Sequence, residues 1–240
     1  MVTILDKEGY DTLRVISDAD NFNKWMFDTL RPYIRGKVLE VGSGIGNISG
    51  LLLQTQDSVV LSDLSEDYTT ILRRRFTGHP ALCDTLVMDL NDPAFGRRYA
   101  SWAGSFDTIV ALNVIEHVAD DQRAIANCVG LLKKGGRLIV LVPAYQALYN
   151  RFDRELGHCR RYKKATLREL VGPHCTIIKT RYFNLAGIAG WVFSGNILRK
   201  KIIPEGQMKL FNRLVPFFKW MDRMSFWRWG LSVWAVAVKE

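Results

Sequence analysis

The sequence predicts an α/β fold built on a doubly wound, mostly parallel sheet. Three observations predict it. Short apolar runs alternate with helix-patterned stretches along most of the chain. Those runs are apolar throughout their length, as strands covered on both faces are. A glycine-rich loop joins the first run to the helix after it. With 240 residues and 48% apolar side chains, the chain can bury a core of one large domain, and the low hydrophobicity that marks disorder is absent.

The elements follow in order. Phe22, Trp25, Met26 and Leu30 recur at helical spacing, so residues 20–35 read as a helix, capped by Asp20 or Asn21 and ended near Gly36. Residues 37–42 form the first strand, 42–46 the glycine loop and 47–56 a helix with Ile48, Leu51 and Leu52 on one face. A second strand over 58–63 leads into an Arg-rich helix over 65–75. Residues 84–89, 106–112 and 136–142 are the third, fourth and fifth strands, with a helix over 119–132 before the fifth and Pro143 after it. Beyond that the rhythm changes. Residues 145–164 are basic and aromatic, 166–171 a short helix, 176–182 a sixth strand and 231–238 the last.

Charge divides the chain. Residues 1–120 hold 11 basic and 17 acidic side chains, whereas 121–240 hold 22 and 7. The second half is therefore suited to an anionic partner, whether substrate, nucleic acid or lipid surface, or it presents a solvated basic face. No run of about 18 apolar residues can span a bilayer, and the N-terminus lacks the basic-then-apolar order of a signal peptide. Cys83, Cys128, Cys159 and Cys175 have no metal-site spacing. A reduced, cytoplasmic chain is the expectation, with the inner membrane face as an alternative contact.

A glycine loop between strand and helix brings backbone amides close to a nucleotide-like ligand. Here it reads Glu40-x-Gly42-x-Gly44-x-Gly46, with Asn47 where a pyrophosphate-binding G-x-G-x-x-G loop needs its third glycine. A carboxylate inside the first strand suits a ligand with a cationic head. Asp63, 23 residues after Glu40, closes the second strand, where a carboxylate can accept both hydroxyls of a ribose. Asp89 closes the third strand and can accept a hydrogen bond from an adenine amino group.

These features, with Val38-Leu-Glu-Val-Gly-Ser-Gly-Ile-Gly46, Met88-Asp89-Leu90, Asn113-Val-Ile-Glu-His117 and Leu132-Lys-Lys-Gly-Gly-Arg-Leu138, occur in order at strand ends. The combination resembles the class I S-adenosylmethionine-dependent methyltransferases, within them the bacterial type 11 and type 12 groups, closely over residues 35–180. The resemblance implies a Rossmann-like seven-stranded sheet of order 3-2-1-4-5-7-6 with the last strand antiparallel. It implies S-adenosyl-L-methionine as cofactor, with Asp63 at the ribose, Asp89 at the adenine edge, the glycine loop at the methionine part and Asn113 at the amino-acid end. The implied cofactor set is Glu40, Gly42, Ser43, Gly44, Gly46, Asp63, Leu64, Met88, Asp89, Leu90, Asn113 and Val114.

Rival chemistries find less support. A short-chain reductase needs Tyr-x-x-x-Lys beyond the loop, but Tyr33 and Lys37 precede it and flank Gly36. Nucleobase amino-methyltransferases carry Asn/Asp-Pro-Pro-aromatic after the fourth strand; Asn113-Val-Ile-Glu lacks those prolines, which disfavours duplex DNA. RNA-end methyltransferases hold a cation with Glu-x-x-Glu-His-His. Asn113 and Val118 replace two of those four ligands beside Glu116 and His117, so no metal is expected.

For the acceptor, Gly157-His-Cys-Arg-Arg-Tyr162 follows the fifth strand and resembles the acceptor-side segment of type 11 relatives. Tyr149, Asp153, Arg160 and Arg161 are the candidate substrate residues, arginine being matched to carboxylate or phosphate; an ion-pair network ordering the segment is the competing role for Asp153 and the arginines. His117 and His158 are the candidate general bases, His117 equally a helix cap.

Between the sixth and last strands, residues 185–229 carry four Trp and eight basic residues (199, 200, 201, 209, 213, 219, 223 and 228), with Pro216 expected to break or restart a helix. They read as an aromatic, basic cap over an amphiphilic acceptor, with a peripheral membrane or homodimer contact through the same stretch, or simply as packing. One domain over 1–240 is expected: an N-terminal helical lid (1–36), a cofactor-binding core (37–184), the cap (185–229) and the last strand (230–240). The function so read is methyl transfer to a small or amphiphilic, anionic acceptor through O, N or C. The alternative is an RNA methyltransferase, or a non-catalytic basic module for RNA or membrane.

Overall fold

A computed structural model describes residues 7–197 and 204–240; basic residues 199, 200 and 201 of the expected cap lie outside them. Seven strands form one sheet: β1 (Val38–Val41), β2 (Val59–Asp63), β3 (Leu82–Val87), β4 (Phe106–Leu112), β5 (Leu132–Pro143), β6 (Thr176–Phe183) and β7 (Ser232–Val238). Their order is β3-β2-β1-β4-β5-β7-β6. Parallel pairing joins β3 through β5, and β7 runs antiparallel to both β5 and β6. The expected topology is present in full.

The pleat sorts the apolar strand residues into two cores. Leu39, Ile109, Leu138 and Val140 face α6 (Asp121–Leu131) and α8 (Lys164–Val171), through Ile125, Cys128 and Leu167. Val38, Val110, Ile139 and Trp234 face the other side. There α2 (Asp20–Leu30), α3 (Ser49–Thr55), α4 (Glu66–Arg75) and α10 (Glu205–Met224) contribute Phe27, Leu52, Leu72 and Val215. Local chemistry sets helix ends: the Ser65 hydroxyl accepts from the Tyr68 amide at 3.4 Å to start α4, and Arg73, Arg74 and Arg75 close it against the dipole.

Several boundaries depart from the sequence reading. β3 ends at Val87, so Asp89 lies two residues past the strand. α2 stops at Leu30 and a single 3-10 turn over Arg31–Tyr33 follows. β5 starts early at Leu132 because Leu132 pairs with Phe106 of β4 across a register shift. The N-terminal segment divides. α1 (Lys7–Ser17) lies on the glycine loop, where the Asn47 side-chain amide donates to the Leu13 carbonyl at 3.0 Å. Phe22 and Trp25 of α2 instead pack on Phe183, at 6.2 and 4.4 Å between ring centres; they belong to the core, not to a lid.

The 185–229 stretch also divides. α9 (Leu185–Val192) packs on the segment after β5: the Trp191 ring lies 5.1 Å from that of Phe152, and its indole N–H donates to the Leu148 carbonyl at 3.2 Å. α10 runs along α2, and Pro216 neither breaks nor restarts it. One face buries Met208, Val215 and Asp222, with Phe211 and Phe218 half-buried. The opposite face exposes Leu210, Leu214, Phe217, Trp220 and Met224. No helix among the described residues is long and apolar enough to cross a membrane.

Candidate functional site

Strand order reverses at β1, whose neighbours β2 and β4 lead to opposite sheet edges. Open α/β sheets bind ligands above the C-terminal strand ends at such a point. The glycine loop leaves β1 there. Gly42 has φ +70°, and a Cβ on it would lie 2.3 Å from Val114 Cγ2; Gly46 has φ +90° and would meet the Phe76 ring at 2.7 Å. Both conformation and space therefore demand glycine. Ser43 and Gly44 are buried beside them.

Asp63, at the end of β2, is buried and tied to the loop. Its Oδ2 accepts from the Gly44 amide at 2.8 Å and its Oδ1 from the Ser65 amide at 2.9 Å. Glu40 lies beneath the loop, 4% exposed, and accepts from the Ser49 hydroxyl. Burial pushes its carboxyl up to about 7; hydrogen bonds from Ser49 and Ser43 oppose the rise and the Asp63 charge adds to it.

The remaining candidates ring this point unevenly. Leu64 is exposed, whereas Met88 and Leu90 are buried. The Met88 amide donates to the Asp63 carbonyl at 2.8 Å, and Asp89 Oδ1 accepts from the Asn91 amide at 2.8 Å. Exposed Asn113 follows β4 with φ 54°, a left-handed conformation asparagine adopts more readily than most residues. Val114 sits against Gly42.

On the acceptor side the structure brings His117 and His158 together, ring centres 4.7 Å apart and planes at 86°. His158 Nδ1 lies 2.8 Å from Asp153 Oδ1, which also accepts from Arg161 Nε at 2.7 Å. Asp153 is fully buried within α7 (Arg151–Glu155), and its other oxygen accepts from the Asn150 amide at 2.8 Å. Burial alone would raise its pKa, but the His158 and Arg161 hydrogen bonds hold it below the usual carboxylate value. Arg161 also donates to the Ala144 carbonyl at 3.1 Å. Arg160 pairs with Asp121 at 2.7 Å and donates to the Ala119 carbonyl at 2.7 Å. Tyr149 donates to the His158 carbonyl at 2.7 Å. Asp153 and both arginines thus brace the segment, which is the ion-pair role weighed above.

Sequence reasoning quoted Glu116 but left it out of the site. It sits in the 3-10 turn over Ile115–His117, fully buried, and neither carboxylate oxygen has a hydrogen-bond partner. Burial pushes its carboxyl up to about 8, Arg161 opposing and Asp153 adding. An apolar-flanked Glu-His at a strand end was the available signal; its depth is a tertiary property.

Residues 39–138 match the family described as Methyltransferase domain. Over 104 residues the chain is 32% identical to the Ubiquinone biosynthesis O-methyltransferase of Xanthomonas euvesicatoria pv. vesicatoria, covering 43% of this chain and 41% of that one. The chain thus spans less than half the length of that curated relative. Geranyl diphosphate C-methyltransferase from Streptomyces coelicolor superposes with a TM-score of 0.64 at 13% identity, over 95% of this chain and 83% of its own. A Haloferax volcanii protein solved with the Trm112 methyltransferase activator gives 0.62 at 18% identity, over 97% and 98%. These two likenesses are of fold.

Proposed function

We propose that this chain, a member of the class I S-adenosylmethionine-dependent methyltransferases by domain match and sheet order, binds S-adenosylmethionine above β1 and β4 and methylates an amphiphilic acceptor. The carrying observation is Asp63, anchored by the Gly44 and Ser65 amides at the switch point. A carboxylate offers about four lone-pair positions, so it can hold two amides and still accept from vicinal hydroxyls.

The residues fit the cofactor. Gly42 and Gly46 keep side chains out of the loop, and buried Glu40 offers negative charge to a cationic head. Asp89, past β3, and Asn113, past β4, stand at strand ends on opposite sides of β1, which supports them for the adenine edge and the amino-acid end. The cofactor supplies an activated methyl on a sulfonium sulfur. The chain positions the acceptor, a contribution that can dominate a displacement reaction. The Asp153 contact on His158 Nδ1 supports His158 as the base that takes the acceptor proton.

The amphiphilic acceptor is supported by α10. Leu210, Leu214, Phe217, Trp220 and Met224 form a continuous exposed stripe, each at least 41% exposed, beside Lys209, Arg213 and Arg223. Such a face suits an anionic lipid surface. The O-methyltransferase name of the Xanthomonas relative favours oxygen as the acceptor atom. We read 1–240 as one catalytic unit with its cofactor core in 37–184.

Calorimetry with S-adenosylhomocysteine tests the reading. Saturable one-to-one binding is expected, lost in Asp63→Ala. Heat equal to buffer dilution for the unaltered chain would contradict it.

A further inference from the structure

Behind the turn that follows β4 lies a constellation that cofactor binding does not use. Glu116 is 0% exposed and both its oxygens lack hydrogen-bond partners. A buried carboxylate without a partner is costly, and buried charges are paired or bind metals. The charged side chain next to it, Arg161, is committed to Asp153 and the Ala144 carbonyl.

The loop over 157–159 is held against this turn by the Cys159 amide, which donates to the Glu116 carbonyl at 2.7 Å. That contact carries His158 to His117 across 41 positions of sequence. One donor atom each from Glu116, His117 and His158 lie within 4.8 Å of one another. The His158 Nδ1 contact with Asp153 leaves Nε2 as its coordinating nitrogen, the carboxylate–histidine arrangement that orients metal ligands.

We propose that Glu116, His117 and His158 bind a divalent transition-metal ion of the zinc class, with Asp153 as the positioning residue for His158. Two imidazoles and one carboxylate favour zinc-like ions over magnesium or calcium, which prefer all-oxygen sets. The sequence expectation of no metal rested on positions 113–118 alone, whereas His158 comes from a distant segment.

Three protein ligands leave coordination positions open. On the methyltransferase reading, and resting on it, an open position takes the acceptor hydroxyl. Coordination lowers the hydroxyl pKa so that its proton passes to water, His158 then serving as a ligand and not as the base, while the oxygen keeps the electron pair.

The binding test uses the full chain, stripped with a chelator and titrated with Co²⁺ under visible absorption, then loaded with Zn²⁺ for elemental analysis. One equivalent of either ion is expected, with ligand-field bands for Co²⁺. Asp153→Asn should weaken affinity by about 10–100-fold, Glu116→Gln and His158→Ala by more, and Cys159→Ala not at all. Glu116→Gln is isosteric, and its circular dichroism and Tm verify folding. Absence of saturable binding in the unaltered chain, or one equivalent retained in both Glu116→Gln and His158→Ala, would overturn the site. S-adenosylhomocysteine binding, measured in parallel without metal, stays unchanged in these variants; losing the metal site would therefore leave the cofactor reading standing.

Discussion

The Asn21 side-chain amide donates to the Asn212 carbonyl at 3.2 Å, the carbonyl whose intrahelical donor would be the missing amide of Pro216. In return Asn212 Oδ1 accepts from the Phe22 amide at 3.0 Å, at the start of α2. Proline inside a helix frees the carbonyl four residues back and crowds it. Here α2 satisfies that carbonyl, so α10 runs through Pro216 unbroken.

Asn212→Ala removes the acceptor of the partly buried Phe22 amide and should cost about 1 kcal/mol, on the scale of one net hydrogen bond. Asn21→Ala, at an exposed position, should cost less. Pro216→Ala supplies an amide to the same carbonyl; it should raise Tm and shrink the cost of Asn21→Ala. Thermal unfolding of the double-mutant cycle checks the coupling. Additive effects would show that Asn21 acts independently of the proline.

Gly42 and Gly78 separate backbone strain from crowding. Both have positive φ, +70° and +73°, but a Cβ at Gly78 meets nothing within 4 Å whereas one at Gly42 meets Val114. Gly78→Ala should cost about 1–2 kcal/mol from conformation alone. Gly42→Ala should cost more and lose cofactor affinity, with Val114→Ala recovering part of the stability. Equal Tm losses at the two sites would show that Val114 yields freely.

Glu40 sets a pH dependence. Its folded pKa, about 7, stands above the usual glutamate value of 4.5, so between these values the folded chain holds the extra proton. The Glu40 contribution to stability therefore falls as pH rises from about 4.5 to about 7 and levels off above. Glu40→Gln should flatten that slope, seen as a smaller Tm difference between pH 5 and pH 7. A bound ligand with a cationic head should offset the fall. Identical slopes in both proteins would place the titration elsewhere.

The outer stripe of α10 should bind anionic vesicles. Sedimentation with phosphatidylglycerol liposomes is expected to retain the chain at low salt and release it at high salt. Phe217→Ser with Trp220→Ser should abolish retention without lowering Tm, since both side chains are more than half exposed. Salt-sensitive retention that survives the double variant would assign binding to charge alone, as an RNA-facing surface would behave.

The central sheet was legible because buried parallel strands are written as apolar runs, and β4 falls on its expected residues, Phe106–Leu112. β3 was placed two residues late because it is an edge strand with exposed positions such as Cys83 and Asp84, so no apolar run marked its end. The glycine loop and Asp63 were readable from spacing along neighbouring strands. The acceptor side was not. Arg160 and Arg161 look alike in sequence, yet one pairs with Asp121 and the other with Asp153, through contacts that only the folded chain brings together. Pro216 misled for the same reason: its remedy, Asn21, lies on another helix.

Soaking a crystal of the full chain with S-adenosylhomocysteine addresses the core of the account. The account predicts the nucleoside above β1 and β4, with the Asp63 carboxylate accepting from both ribose hydroxyls. A ligand bound elsewhere, or a ribose held by another residue with Asp63 turned away, would contradict it.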